Sequence, residues 1–154
     1  MKSRYIIMAI KPRYVRMILN NQKKYEFRRK IFKNEWVKYI FVYATSPINK
    51  IVCILKIQNV IKDSPESLWN KYHSKSGIDK KSFFEYFDGC ETGYALEIEV
   101  IKKFDPPLDP YNLFYDFTPP QSFRYLHLSD LQRTTTQPLS IIQEFFYDQQ
   151  FLPI

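Results

Sequence analysis

Asn21-Gln22-Lys23-Lys24-Tyr25-Glu26-Phe27-Arg28 is the stretch that decides how this chain is read. Side chains alternate across a strand, so Tyr25 and Phe27 point to one face and Lys24, Glu26 and Arg28 to the other. Lys23, Glu26 and Arg28 thus bring a cation, an anion and a second cation together over six positions. That set suits a polar, partly anionic ligand. An ordinary exposed strand has little need of it.

The flanks extend the pattern. Residues 5–10 form a short apolar run, read as a strand. Ile10-Lys11-Pro12-Arg13-Tyr14 then opens a helix, with Pro12 in the first turn, where its missing N–H is harmless. Val15, Ile18 and Leu19 recur at helical spacing. The charged strand follows, and further on Val42-Tyr43-Ala44-Thr45-Ser46-Pro47. In this order, the segments resemble the ASCH family, a branch of the PUA-like β-barrels associated with RNA. Its signature G-x-K-x-x-E-x-R aligns with Asn21, Lys23, Glu26 and Arg28. Asn21 replaces the usual glycine, and asparagine tolerates the left-handed backbone such a turn requires. The resemblance covers roughly residues 4 to 127, including a closing Pro119-Pro120-Gln121-Ser122-Phe123 segment.

Composition narrows the function classes. The 154 residues suffice for one domain that buries about 70% of its unfolded surface. With three glycines, and no P-loop or dinucleotide fingerprint, a phosphate loop or nucleotide cofactor is not expected. His73 and His127 are far apart and lack nearby cysteines, so no metal site is expected. Ser46 and Ser122 lack the flanks of a nucleophile elbow. Apolar runs are too short for a membrane helix, and the chain enters a strand pattern at once, without a signal peptide. A cytoplasmic protein with Cys53 and Cys90 as free thiols is the expectation. Formal net charge is +7, held unevenly: residues 1–38 carry 12 Lys/Arg against 2 acidic residues, while residues 39–154 carry 11 against 14. The basic excess lies in the segment with the motif and would draw polyanions.

The remaining pattern predicts an α+β fold: a small PUA-like mixed β-barrel with an N-terminal helix, a helical insertion and a C-terminal helix. Residues 36–45 and 50–61 read as an antiparallel pair joined by a proline turn. Ser64-Pro65-Glu66 starts one helix of the insertion and Asp79 caps a second. Residues 94–104 read as a strand broken by Asp105-Pro106-Pro107, and residues 119–127 as the last strand. Residues 1–127 would form the ASCH/PUA-like domain. Residues 128–154 would be an extension whose short helix packs on it through Ile141, Ile142, Phe145 and Phe146, the chain being a monomer or weak homodimer.

By the resemblance, the motif lines a cleft between the first helix and the barrel. Lys23 would contact phosphate or a carbonyl, Glu26 would accept from a base edge or act as a base, and Arg28 would bind phosphate or orient Glu26. Tyr43, Thr45 and Ser46 would add a stacking ring and hydroxyls, and Gln121 and Ser122 further polar contacts. Lys11 is a rim candidate. Each residue has a plainer reading: a same-face ion pair for Glu26 and Arg28, a solvated turn for Lys23, a core aromatic for Tyr43, and a turn into Pro47 for Thr45 and Ser46. The expected partner is RNA, a nucleotide or a modified nucleoside. The alternative is an enzyme: a ribonuclease, or a hydrolase of N4-acetylcytidine type with Lys23 and Glu26 as catalytic candidates. The amidohydrolase branch has a threonine nucleophile where this chain has Glu26, and a carboxylate cannot reproduce that attack.

Overall fold

The computed structural model describes residues 4–132. Among them are six strands: β1 (Tyr5–Ile10), β2 (Tyr25–Arg28), β3 (Tyr39–Ala44), β4 (Lys50–Asp63), β5 (Gly93–Leu108) and β6 (Phe123–Leu126). Four helices accompany them: α1 (Pro12–Leu19), α2 (Pro65–Tyr72), α3 (Lys80–Tyr86) and α4 (Pro110–Leu113). The strands form one mixed sheet in the order β2-β5-β4-β3-β1-β6. β1 and β3 run parallel, and every other neighbouring pair is antiparallel. The expected antiparallel pair is present, with Tyr39 opposite Lys56 and Ala44 opposite Lys50.

β1 is buried along its whole length because both faces of the sheet are covered. Tyr5, Ile7 and Ala9 join one core with Phe41, Phe114 and Phe117. Ile6, Met8 and Ile10 join a second with Val15 and Ile18 of α1. Strand period and helix period thus meet on the same face. Cys53 lies in this second core, and burial pushes its thiol up to about 12. Alkylation with iodoacetamide at pH 8 should therefore modify the half-buried Cys90 well before Cys53, as peptide mass mapping would report.

The sheet curls into a half-barrel. β2 and β6 are its opposite edges, yet the two ends touch. Arg28 at the end of β2 donates from Nη2 to the Ala9 carbonyl of β1 at 2.8 Å, and from Nη1 to Ser122 Oγ at 3.2 Å. Tyr125 Oη accepts from the backbone N–H groups of Lys33 and Asn34, in the segment that follows β2.

Two expectations change. The strand over residues 94–104 does not stop at Asp105-Pro106-Pro107; β5 continues to Leu108, which is buried. Cys53 faces Lys103 and Ile51 faces Leu108, so the prolines fall in a bulge where the ladder asks for no N–H. β2 pairs with only Tyr94–Glu97 of β5, so the other flank near the prolines has no strand to serve among the described residues. The last strand is also shorter than residues 119–127, at Phe123–Leu126. Leu131 bridges Phe114 and is buried with it. The expected helix around Ile141 and Phe145 lies outside the described residues.

Candidate functional site

α1 begins at Pro12 without a side-chain cap and ends in a turn that aims the motif. Asn21 takes a φ of 63°, the left-handed conformation expected of the residue in the glycine position. The Asn21 N–H donates to the Ile18 carbonyl, and the Gln22 and Lys23 N–H groups both reach the Met17 carbonyl. The chain reverses there and sends Lys23 inward.

Lys23 is only 4% exposed. Its Nζ donates to the carbonyls of Tyr25 and Ser76, both at 2.6 Å, and stands 3.7 Å from Glu26 Oε1. Burial holds the amine below the ordinary lysine range; Glu26 opposes that shift and Arg28 adds to it. Ser76 is fully buried, and its Oγ donates to the His73 carbonyl. Gly77 beside it has a φ of 70°, and a Cβ there would lie 2.9 Å from Met17 Sδ. Lys23 thus ties the end of α1 and the start of β2 to the turn between α2 and α3. The plainer reading of Lys23 as a solvated turn residue does not hold. Its contacts are carbonyls, as one sequence reading allowed, but they are the protein's own.

Glu26 is 8% exposed and sits between the two cations, with Oε2 3.7 Å from Arg28 Nη2. Arg28 spends its forked donors on Ala9 and Ser122, and its Nε is buried without a partner. The expected alternation across β2 is present. Phe27 turns to the opposite side and meets Phe83 of α3 edge-on at 4.8 Å, while Tyr25 packs on Tyr72.

These residues line a cleft of about 640 Å³. Lys23, Glu26 and Arg28 lie along it, with Ala9, Ile10, Lys11 and Thr45 on one side and Arg13 and Tyr14 from α1. Gln121 reaches it from the approach to β6. The far wall is α3, which contributes Ser82, Glu85 and Tyr86. Asp79 caps this helix by accepting from the Ser82 N–H, and that bond draws its carboxyl below the usual range. Phe83 and Phe87 are buried against Phe27, so Ser82, Glu85 and Tyr86, on the neighbouring helical face, are left to the cleft. Arg13 lies 4.6 Å from the Tyr14 ring centre and Arg29 4.8 Å from that of Tyr86.

Of the residues singled out from sequence, Lys23, Glu26, Arg28, Thr45, Gln121 and Lys11 come together. Ser122 lies behind them as the acceptor of Arg28. Two stand apart. Tyr43 is buried in the core on the other face of the sheet, its ring beside Phe117 and its Oη donating to Asn49 Oδ1. Ser46 is exposed in the turn before Pro47, outside the cleft lining. Strand alternation sends Tyr43 away from its neighbour Ala44, which belongs to the α1 side. Arg13, Tyr14, Ser82, Glu85 and Tyr86 escaped the sequence reading. The first two sat within the segment already noted; the others show no signal until α3 is placed against β2. Among the described residues no three His, Cys, Asp or Glu side chains gather as metal ligands do. No described helix is long and apolar enough to cross a membrane.

A curled mixed sheet, with a short helix after its first strand and a largely buried K-x-x-E-x-R cluster in the cleft beneath, defines an α+β half-barrel. No family model matches the chain. It is 24% identical over 133 residues to the ASCH domain-containing ribonuclease of Zymomonas mobilis, covering 82% of this chain and 87% of that protein. A solved structure of a serine-to-alanine variant of ZmASCH, from Zymomonas mobilis, superposes with a TM-score of 0.78 at 21% identity, over 91% of this chain and 96% of that one. The chain is also 28% identical over 123 residues to the large ribosomal subunit protein uL22 of Ureaplasma parvum; that match takes in 79% of this chain and 39% of the ribosomal protein. In fold, the chain is similar to the ZmASCH structure.

Proposed function

We propose that this chain binds single-stranded RNA, seating one unstacked nucleotide in the cleft around Lys23, Glu26 and Arg28. The carrying observation is a nearly buried carboxylate, flanked by a buried lysine and a partly buried arginine, in a cleft large enough for a nucleotide. Lys11 and Arg13 at the entrance are exposed and suit phosphates. Tyr14 and Tyr86 offer rings for a base, as aromatic side chains do in single-strand readers. The basic excess in residues 1–38 supports the same partner, as do relatives named for RNA cleavage and for the ribosome. In this reading the protein works in the cytoplasm as a monomer or weak homodimer.

Binding should weaken steeply with salt, each phosphate contact contributing a slope of about −0.7 in log affinity against log salt. Fluorescence anisotropy with a mixed pool of short RNAs should show this. Lys11→Gln together with Arg13→Gln should lower affinity and flatten the slope by about 0.7–1.4, while thermal stability stays near wild type. Binding that ignores salt, or a double variant with an unaltered slope, overturns the polynucleotide reading.

The second reading is a ribonuclease. It is favoured by the name of the Zymomonas relative and by an amine held below its ordinary range beside a carboxylate. Glu26 would take the proton of a 2′-hydroxyl as its oxygen bonds to the adjacent phosphorus and the P–O5′ bond breaks, the departing 5′-oxygen taking a proton from water, and Lys23 would steady the charge on the phosphate. Loss of intact RNA on prolonged incubation with wild type but not with Glu26→Gln distinguishes this from binding alone.

A further inference from the structure

Lys23 Nζ gives two donors to the Tyr25 and Ser76 carbonyls, and Arg28 gives both Nη groups to Ala9 and Ser122. Arg28 Nε is buried without a partner. The two cations that a sequence reading assigns to phosphate are thus each held by two hydrogen bonds to the protein. Among the described residues, Glu26 lines the cleft as its one carboxylate beside these cations, each oxygen 3.7 Å from a cation, and a carboxylate offers only acceptors.

We infer that the cleft selects guanine, through the paired N1–H and N2–H donors of its Watson–Crick edge on the Glu26 carboxylate. The inference rests on the RNA-binding reading and names the base that the same site takes. Guanine alone among the four bases presents two adjacent N–H donors to a two-oxygen acceptor. Cytosine and adenine offer one amine beside a ring-nitrogen lone pair, which faces the second oxygen unfavourably. Uracil flanks its single N–H with two carbonyls and is repelled on both sides. Lys23 and Arg28 act here as positioning residues: they flank Glu26, each 3.7 Å from one of its oxygens. Lys11 and Arg13 on α1 then take the phosphates, so the base points in and the backbone runs across the entrance.

The experiment compares pentanucleotides differing only in the central base, UUGUU, UUAUU, UUCUU, UUUUU and the inosine analogue UUIUU, by calorimetry at one salt concentration. Inosine keeps N1–H and lacks the N2 amine, so it tests the second bond without altering the protein. UUGUU should bind at least about tenfold tighter than UUUUU and UUIUU, since a site built to bond a donor rejects analogues lacking it. Glu26→Gln, checked for folding by thermal denaturation, should bring the five RNAs to within about threefold of each other by weakening UUGUU alone. Equal affinity for all five with wild type overturns guanine selection and leaves RNA binding standing, as does equal binding of UUGUU and UUIUU. No binding of any RNA at low salt overturns both. If Glu26→Gln does not fold, the guanine–inosine comparison on wild type decides.

Discussion

Lys23→Met should lower unfolding stability by about 3–5 kcal/mol, the usual cost of removing one partner from a buried ion pair. Methionine fills a similar volume, so the loss is electrostatic more than steric. The Tyr25 and Ser76 carbonyls lose their shared donor, and Glu26 is left with Arg28 as its remaining cation. At about 2–4 °C per kcal/mol for a domain of this size, Tm should fall by roughly 10 °C. The double variant Lys23→Met, Glu26→Gln should recover part of the loss, because the stranded anion is gone; residues in contact couple by about 0.5–3 kcal/mol. Denaturant unfolding of both variants checks this. A single variant as stable as wild type, with RNA binding abolished, would show that Lys23 serves the ligand and not the fold.

Arg28→Lys should loosen the half-barrel where its edges meet. A lysine keeps the charge beside Glu26 but is a point donor; it cannot span the Ala9 carbonyl and Ser122 Oγ as a forked guanidinium does. The cost should be about 2 kcal/mol, the scale of one charge-assisted hydrogen bond. It should also be local. Amides of β6 and of Ala9, which donates to the Ser122 carbonyl, should exchange faster, while the β3–β4 ladder keeps its protection. RNA affinity should fall at least tenfold because the carboxylate loses one of its two fixed neighbours. Unchanged exchange at Phe123–Leu126 would mean that Arg28 does not hold the edges together.

Much of this molecule is legible without coordinates, and the legible parts are the local ones. Residues 21–28 carry their own turn and alternation, so the left-handed Asn21, and the division of Glu26 and Arg28 from Tyr25 and Phe27 onto opposite faces, follow from periodicity and backbone sterics alone. Pro12, Ser64 and Asp79 mark helix starts by chemistry confined to one turn. The proline turn between β3 and β4 pairs strands that are neighbours in sequence. Tertiary structure decided the rest. Lys23 is a buried pin because Ser76, 53 residues away, presents it a carbonyl. Tyr43 faces the far core because its strand lies between β1 and β4 with both faces covered. β5 runs past two prolines because a bulge against β4 excuses their missing N–H groups. Tyr86 and Ser82 reach the cleft because Phe27 holds Phe83 and Phe87 on the other side of α3. Local sterics fix what each segment becomes, but a donor's partner, and whether a face meets core, cleft or water, depends on segments that the chain brings together only on folding.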